Sequence, residues 1–168
     1  MPQGEHGQAV SKPTILIAYD GSELAQEAVR QAAALFPGSP AVVVTIWEPG
    51  LGALTTMAPG LDIAGPFPGQ FDPAVLVDVD HAVEHHAALV AEQGAQLGRS
   101  LGLDAEAHAV ADELKIGATV ADIAEQRTAA AVVVGSHGLS GLKRHLLGST
   151  SRDILEHCRR PVVVVRTP

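Results

Sequence analysis

Val132-Val133-Val134-Gly135-Ser136-His137-Gly138 is followed, after nine intervening residues, by Gly148-Ser149-Thr150-Ser151. An apolar, β-branched run enters a glycine turn, and a later glycine opens a segment rich in hydroxyls. That layout suits a phosphate cradle. Gly135 and Gly138 carry no Cβ and can adopt positive φ, so backbone N–H groups can approach an anion. The unpaired N–H groups and dipole at the start of the next helix favour negative charge at the same place, and Ser149, Thr150 and Ser151 add hydroxyl donors there. Ser149 reads equally well as the cap of that helix. His137 lies inside the turn, where it either points at a phosphate or simply completes the loop.

Other chemistry is weaker. No Lys-Ser or Lys-Thr pair follows a glycine, so this is not the P-loop, nor is it G-x-G-x-x-G after a first strand. Phosphoryl transfer needs a positioned lysine, metal ligands and a base or arginine finger. Only Asp20 and Lys143 resemble fragments of such a set, so no catalytic residue is assigned and at most weak ATP hydrolysis is expected. Lys143, Arg144 and His145 form a small basic cluster that suits either a triphosphate or water. His81-x-x-Glu84-His85 matches H-x-x-E-H, but Asp78, His81, His85, Glu92 and Gln96 together make the polar stripe of an exposed helix, and no metal site is assigned. Cys158, beside Arg159 and Arg160, has no catalytic partner in the sequence and reads as a small apolar residue.

The elements that must position these residues follow from periodicity. Thr14–Tyr19, Ala41–Trp47 and Ala130–Val134 are continuously apolar, as buried parallel strands are. Residues 104–110 alternate, as expected at a sheet edge, and Val162–Val165 follows the stop at Pro161. Helices are predicted from Asp20 or Ser22 (as N-cap) to about Phe36, over 73–101, over 116–127 and over 149–158. In the long helix Leu76, Val79, Val83, Val90, Leu97 and Leu101 form the expected core stripe. Residues 48–72 are rich in Gly and Pro and read as a long loop over the molecule's top edge. Strands alternating with helices imply βαβ units, hence an α/β fold with a parallel sheet covered by helices on both faces. If its five strands run in the order 3-2-1-4-5, Asp20 and Gly135 end neighbouring strands at the point where the winding reverses, where ligands bind.

Composition bounds the class. With 168 residues, 46% apolar and only 3% aromatic, the chain builds one aliphatic core. Residues 1–12 read as a polar, flexible lead-in without a signal-peptide segment, and 13–168 as one domain. The net charge of −8 argues against a nucleic-acid binder and against an anionic membrane surface. No apolar run approaches the roughly 18 residues of a membrane span. A single cysteine excludes an intramolecular disulfide, and the expected location is the cytoplasm.

Tyr19-Asp20-Gly21-Ser22, the stretch Val132–Gly138, Gly148-Ser149 and Arg160-Pro161 with Val162–Val165 together resemble the universal stress protein family, in its ATP-binding subgroup. The resemblance spans the chain beyond the lead-in and implies a doubly wound α/β fold, a five-stranded parallel sheet in the order 3-2-1-4-5. It implies that the backbone of Ala18, Tyr19 and Asp20, and the chain near Ile46, hold adenine, and that Asp20 reaches ribose or a magnesium ion. It further implies that Val134, Gly135, His137, Gly138, Gly148, Ser149 and Thr150 surround ribose and phosphates. Two departures stand out: Tyr19 precedes the aspartate, where it would reshape the base pocket, and the loop at 48–72 is long. The resemblance also implies a homodimer; Val162–Val165 at a sheet edge would pair with its copy about a twofold axis. The expected activity is that of a stress-related sensor or regulator binding ATP, with cyclic AMP as an alternative ligand. The competing readings are a slow Mg-dependent ATPase or phosphotransferase, and a dimeric interaction protein without nucleotide.

Overall fold

Short runs of Val, Ile and Leu bury on both sides only if each strand lies inside a covered sheet, and the strands do so here. The computed structural model describes residues 12–50, 73–112, 115–137 and 147–166. Among them the elements run β1 (Ile15–Ala18), α1 (Glu23–Leu35), β2 (Pro40–Trp47), α2 (Pro73–Ser100), β3 (Asp104–Ala111), α3 (Ile116–Gln126), β4 (Ala131–Gly135), α4 (Ser149–His157) and β5 (Val162–Val165). The sheet order is β3-β2-β1-β4-β5, every pair parallel, with Ile15 level with Ala41 on one side and Ala131 on the other. The expected topology is therefore the observed one. The sequence expectations for residues 1–11 and 51–72 lie outside the described residues.

Alternation along the strands divides the core. Ile15, Ile17, Tyr19, Val43 and Val133 face α1 and α2, whereas Leu16, Val42, Val44, Val132 and Val134 face α3 and α4. Each fully buried aliphatic side chain contributes about 1.5–3 kcal/mol. A one-residue slip would exchange the two sets, so the packing of both faces fixes the register.

Helix α2 departs from expectation in how it docks. Among its described side chains the buried residues are Ala87, Ala91, Gly94, Ala95 and Gly98, with Val90 and Leu97 partly covered beside them. Leu101, placed in the core by its spacing, lies past the helix end and is 43% exposed; the side chain of Leu76 lies outside the described residues. The physical reason is distance. A Cβ at Gly94 would sit 2.8 Å from Val43 Cγ1 and 2.9 Å from the Tyr19 ring, so the helix reaches the sheet through small residues while Leu89 and Leu97 ride on the flanks.

Candidate functional site

The site is built from two strand ends. At the first, Tyr19 leaves β1 with its N–H donating to the Val44 carbonyl at 2.8 Å and its own carbonyl accepting from the Thr45 hydroxyl at 2.9 Å. Gly21, at φ +82, makes the sharp turn that follows. Asp20 Oδ1 accepts from the Ser22 N–H at 3.0 Å, and Ser22 Oγ accepts from the Ala25 N–H at 3.1 Å. Of the two expected caps, Ser22 is the N-cap of α1, and Asp20 braces the turn before it, held at the mouth of the crevice.

Tyr19 lines the cleft, and its ring packs into the α1–α2 core against Gly94. Burial raises its hydroxyl pKa first, and the Asp20 charge adds to this, while Arg30 opposes both.

At the second strand end, Gly135 is the last residue of β4. Gly135 and Gly148 do not use positive φ: among the described residues only glycines 21, 38, 50 and 102 do. Gly135 is small for another reason. A Cβ there would lie 3.0 Å from Leu24 Cγ and 3.3 Å from the Leu24 carbonyl, so the first turn of α1 crosses directly over the strand end.

Gly148 is the N-cap of α4, in extended conformation with φ −62 and no side chain to cap the helix. Ser149, the expected cap, is therefore the first helical residue. Three bonds of 2.7 Å lock this corner: the Ser136 N–H to the Val165 carbonyl, the Gly148 N–H to the Ser136 carbonyl, and the Ser151 hydroxyl to the Gly135 carbonyl. Ser151 thus spends its donor on the fold and is not an available phosphate donor. His137 Nδ1 lies 2.9 Å from Ser136 Oγ. Gly138 and the cluster Lys143, Arg144 and His145 lie outside the described residues.

These ends meet at one cleft of about 120 Å³. Eight of the residues singled out in the sequence line it: Ala18, Tyr19, Asp20, Ile46, Val134, Gly135, His137 and Thr150. Ser149 faces a neighbouring groove that Thr150 shares. Sequence reasoning missed Ala25, Val44, Ile116 and Val120, which also line the cleft, as does Ser151. Val44 was within reach of the argument, because it and Ile46 fall on the same strand face as Ala18 and Val134. Ile116 and Val120, by contrast, depend on where α3 docks.

The arrangement has two chemistries. Val44, Ile46, Ile116, Val120 and Val134 form an apolar slot suited to a flat ring, while Asp20, His137 and Thr150 supply polar groups at its edge. The volume is small beside the roughly 300–1,000 Å³ of pockets that engulf a drug-sized ligand, so the slot encloses a ring and leaves the rest of a larger ligand outside. The start of α4 beside it favours an anion. Elsewhere, His81 and Glu84 pair with each other at 3.8 Å on the exposed face of α2.

Fold and cleft define a doubly wound α/β protein whose ligand crevice opens where β1 and β4 diverge. The chain belongs to the universal stress protein family, whose profile matches residues 67–166. It is 30% identical over 160 residues to a universal stress protein of Mycolicibacterium smegmatis, covering 94% of this chain and 49% of that protein; the chain spans about half the length of this relative. Among solved structures, the hypothetical protein MJ0577 superposes with a TM-score of 0.70 at 18% identity, over 95% of this chain and 99% of the other. The universal stress protein of Archaeoglobus fulgidus in complex with dAMP gives 0.56 at 19%, over 92% and 98%. A universal stress protein in complex with cAMP gives 0.56 at 20%, over 94% and 99%. At these identities the likeness is one of fold.

Proposed function

We propose that this chain binds an adenine nucleotide in the cleft between β1 and β4 and acts as a stress-related regulator, with residues 13–168 as one nucleotide-binding domain working in the cytoplasm. The observation that carries the reading is the convergence of an apolar slot with Asp20, His137, Thr150 and the start of α4 at the point where the sheet winding reverses. The slot takes the base. Asp20, an acceptor-only carboxylate, takes ribose hydroxyls or serves as the single protein carboxylate toward a phosphate-bound magnesium ion. Gly135, Gly138, Gly148, Ser149 and Thr150 surround the phosphates, with ATP as the preferred ligand. The dAMP and cAMP bound by structural neighbours support an adenine ligand. Regulation would act through a homodimer paired along Val162–Val165, an edge strand in which Val162, Val163 and Val164 remain half-buried.

Calorimetric titration of nucleotide-stripped protein with ATP, ADP, AMP and cyclic AMP, with and without Mg²⁺, tests the reading. Micromolar binding of at least one of them is expected. Absence of binding to all four would reduce the cleft to architecture.

A further inference from the structure

Arg30, Arg99, Arg127 and Arg160 each hold a glutamate. Lys115 and Arg152 form no ion pair among the described residues, yet both line one groove of about 390 Å³ between the starts of α3 and α4. Ile116 and Thr150 belong to this groove and to the cleft alike, so the two adjoin. In a chain of net charge −8, two cations that line one groove beside the slot and have no ion pair among the described residues call for a negatively charged occupant. The groove also contains two acids. Asp153 is already committed: Oδ2 accepts the Gly117 N–H at 2.6 Å and Oδ1 lies 3.2 Å from His157 Nδ1. Glu156, exposed, is the remaining negative charge.

We propose that this groove counts phosphates. Lys115 and Arg152 hold the phosphates beyond the first, so the chain selects nucleoside di- and triphosphates over monophosphates and cyclic monophosphates. The inference rests on the nucleotide reading above for the base end of the ligand. A base in the slot sends its phosphate chain past Thr150, and Thr150 also lines the groove. A monophosphate ends there; only longer chains reach the two cations. Arg152 offers a planar fork that engages phosphate oxygens in pairs, and Lys115 offers a point charge.

The test measures AMP, ADP, ATP and inorganic tripolyphosphate on the wild-type chain and on Lys115→Gln, Arg152→Gln and Glu156→Gln. All three side chains are exposed, and Lys115 makes no capping bond through its side chain, so the variants fold. The ratio of ATP to AMP affinity should fall roughly tenfold for each cation removed, the loss of one charge-assisted contact. It should rise in Glu156→Gln, and tripolyphosphate should bind the wild type more tightly than either cation variant. A ratio unchanged in both cation variants overturns the proposal, as does a wild type that gains nothing from AMP to ATP. Tripolyphosphate binding that depends on Lys115 and Arg152, without binding of any nucleotide, upholds the groove and removes the base slot; binding of neither removes both.

Discussion

Gly117 stands where α3 and α4 cross, and Gly117→Ala is the substitution from which the packing predicts most. A Cβ there would lie 2.6 Å from Asp153 Cγ and closer still to the Asp153 carbonyl carbon and oxygen. Those last two are backbone atoms of a helix, so no rotamer change relieves the clash and the helices must separate. Overpacking of this kind costs about 3 kcal/mol, the upper end of the usual range. Separation also weakens the bond from the Gly117 N–H to Asp153 Oδ2, which caps α3 from outside because its N-cap, Lys115, makes no side-chain bond; that adds about 1 kcal/mol. Replacing glycine by alanine in a helix returns about 1 kcal/mol at most. The net destabilisation is about 3 kcal/mol, a fall in melting temperature of about 6–12 °C for a chain of this size. Calorimetry or urea unfolding reads it directly. Asp153→Asn, which keeps the shape and loses only the charge on the cap, should cost about 1 kcal/mol. A Gly117→Ala melting temperature within about 2 °C of the wild type, or above it, would refute the close crossing and the argument built on it.

Ser151→Ala removes a buried donor and strands the Gly135 carbonyl; unfolding free energy should fall by about 1–2 kcal/mol, seen in denaturant titration with an unchanged m-value. Gly148→Val should leave the circular dichroism spectrum intact and cost no more than about 1 kcal/mol, since φ −62 is open to any L-residue. ATP affinity should nevertheless drop tenfold or more, about 1.4 kcal/mol, because a branched side chain stands at the helix start. Tyr19 is the chain's only tyrosine, so absorbance near 295 nm reports it alone. Its midpoint should lie above pH 10, the ordinary value. Because the folded state holds that proton more tightly than the unfolded one, its stabilising contribution is complete below the unfolded pKa and is lost as pH rises through the folded one.

The strands were legible because continuous β-branched runs stand out between helical segments, whereas their order came from the resemblance to a known family. With that order given, the sequence brought Asp20 and Gly135 to one crevice through topology. What it misjudged were positions where small size does the packing. Ala87, Ala91, Gly94 and Ala95 carry little hydrophobic signal and were left out of the core stripe of α2, whose Val90 and Leu97 do pack against the core. Gly135 was read for its backbone freedom, yet its reason is the approach of Leu24. Ser151 looked like a ligand donor and proved to be a fastener, a distinction that depends on where α4 docks. Ile116 and Val120 entered the cleft for the same reason. Helix placement, unlike strand order, is decided by side-chain volumes that periodicity does not weigh.

The central position of β1 has a consequence for how the chain reaches its native state. β1 pairs with β2 across a short connection, but its other partner, β4, lies more than a hundred residues along the chain. Contacts of such separation carry the largest loop-closure entropy and tend to form late. The cleft exists only once β1 and β4 are joined, so partly folded chains lack it. A ligand held there binds the finished molecule alone and draws the folding equilibrium toward it by mass action. Ligand supply would then govern how much of the newly made chain survives proteolysis.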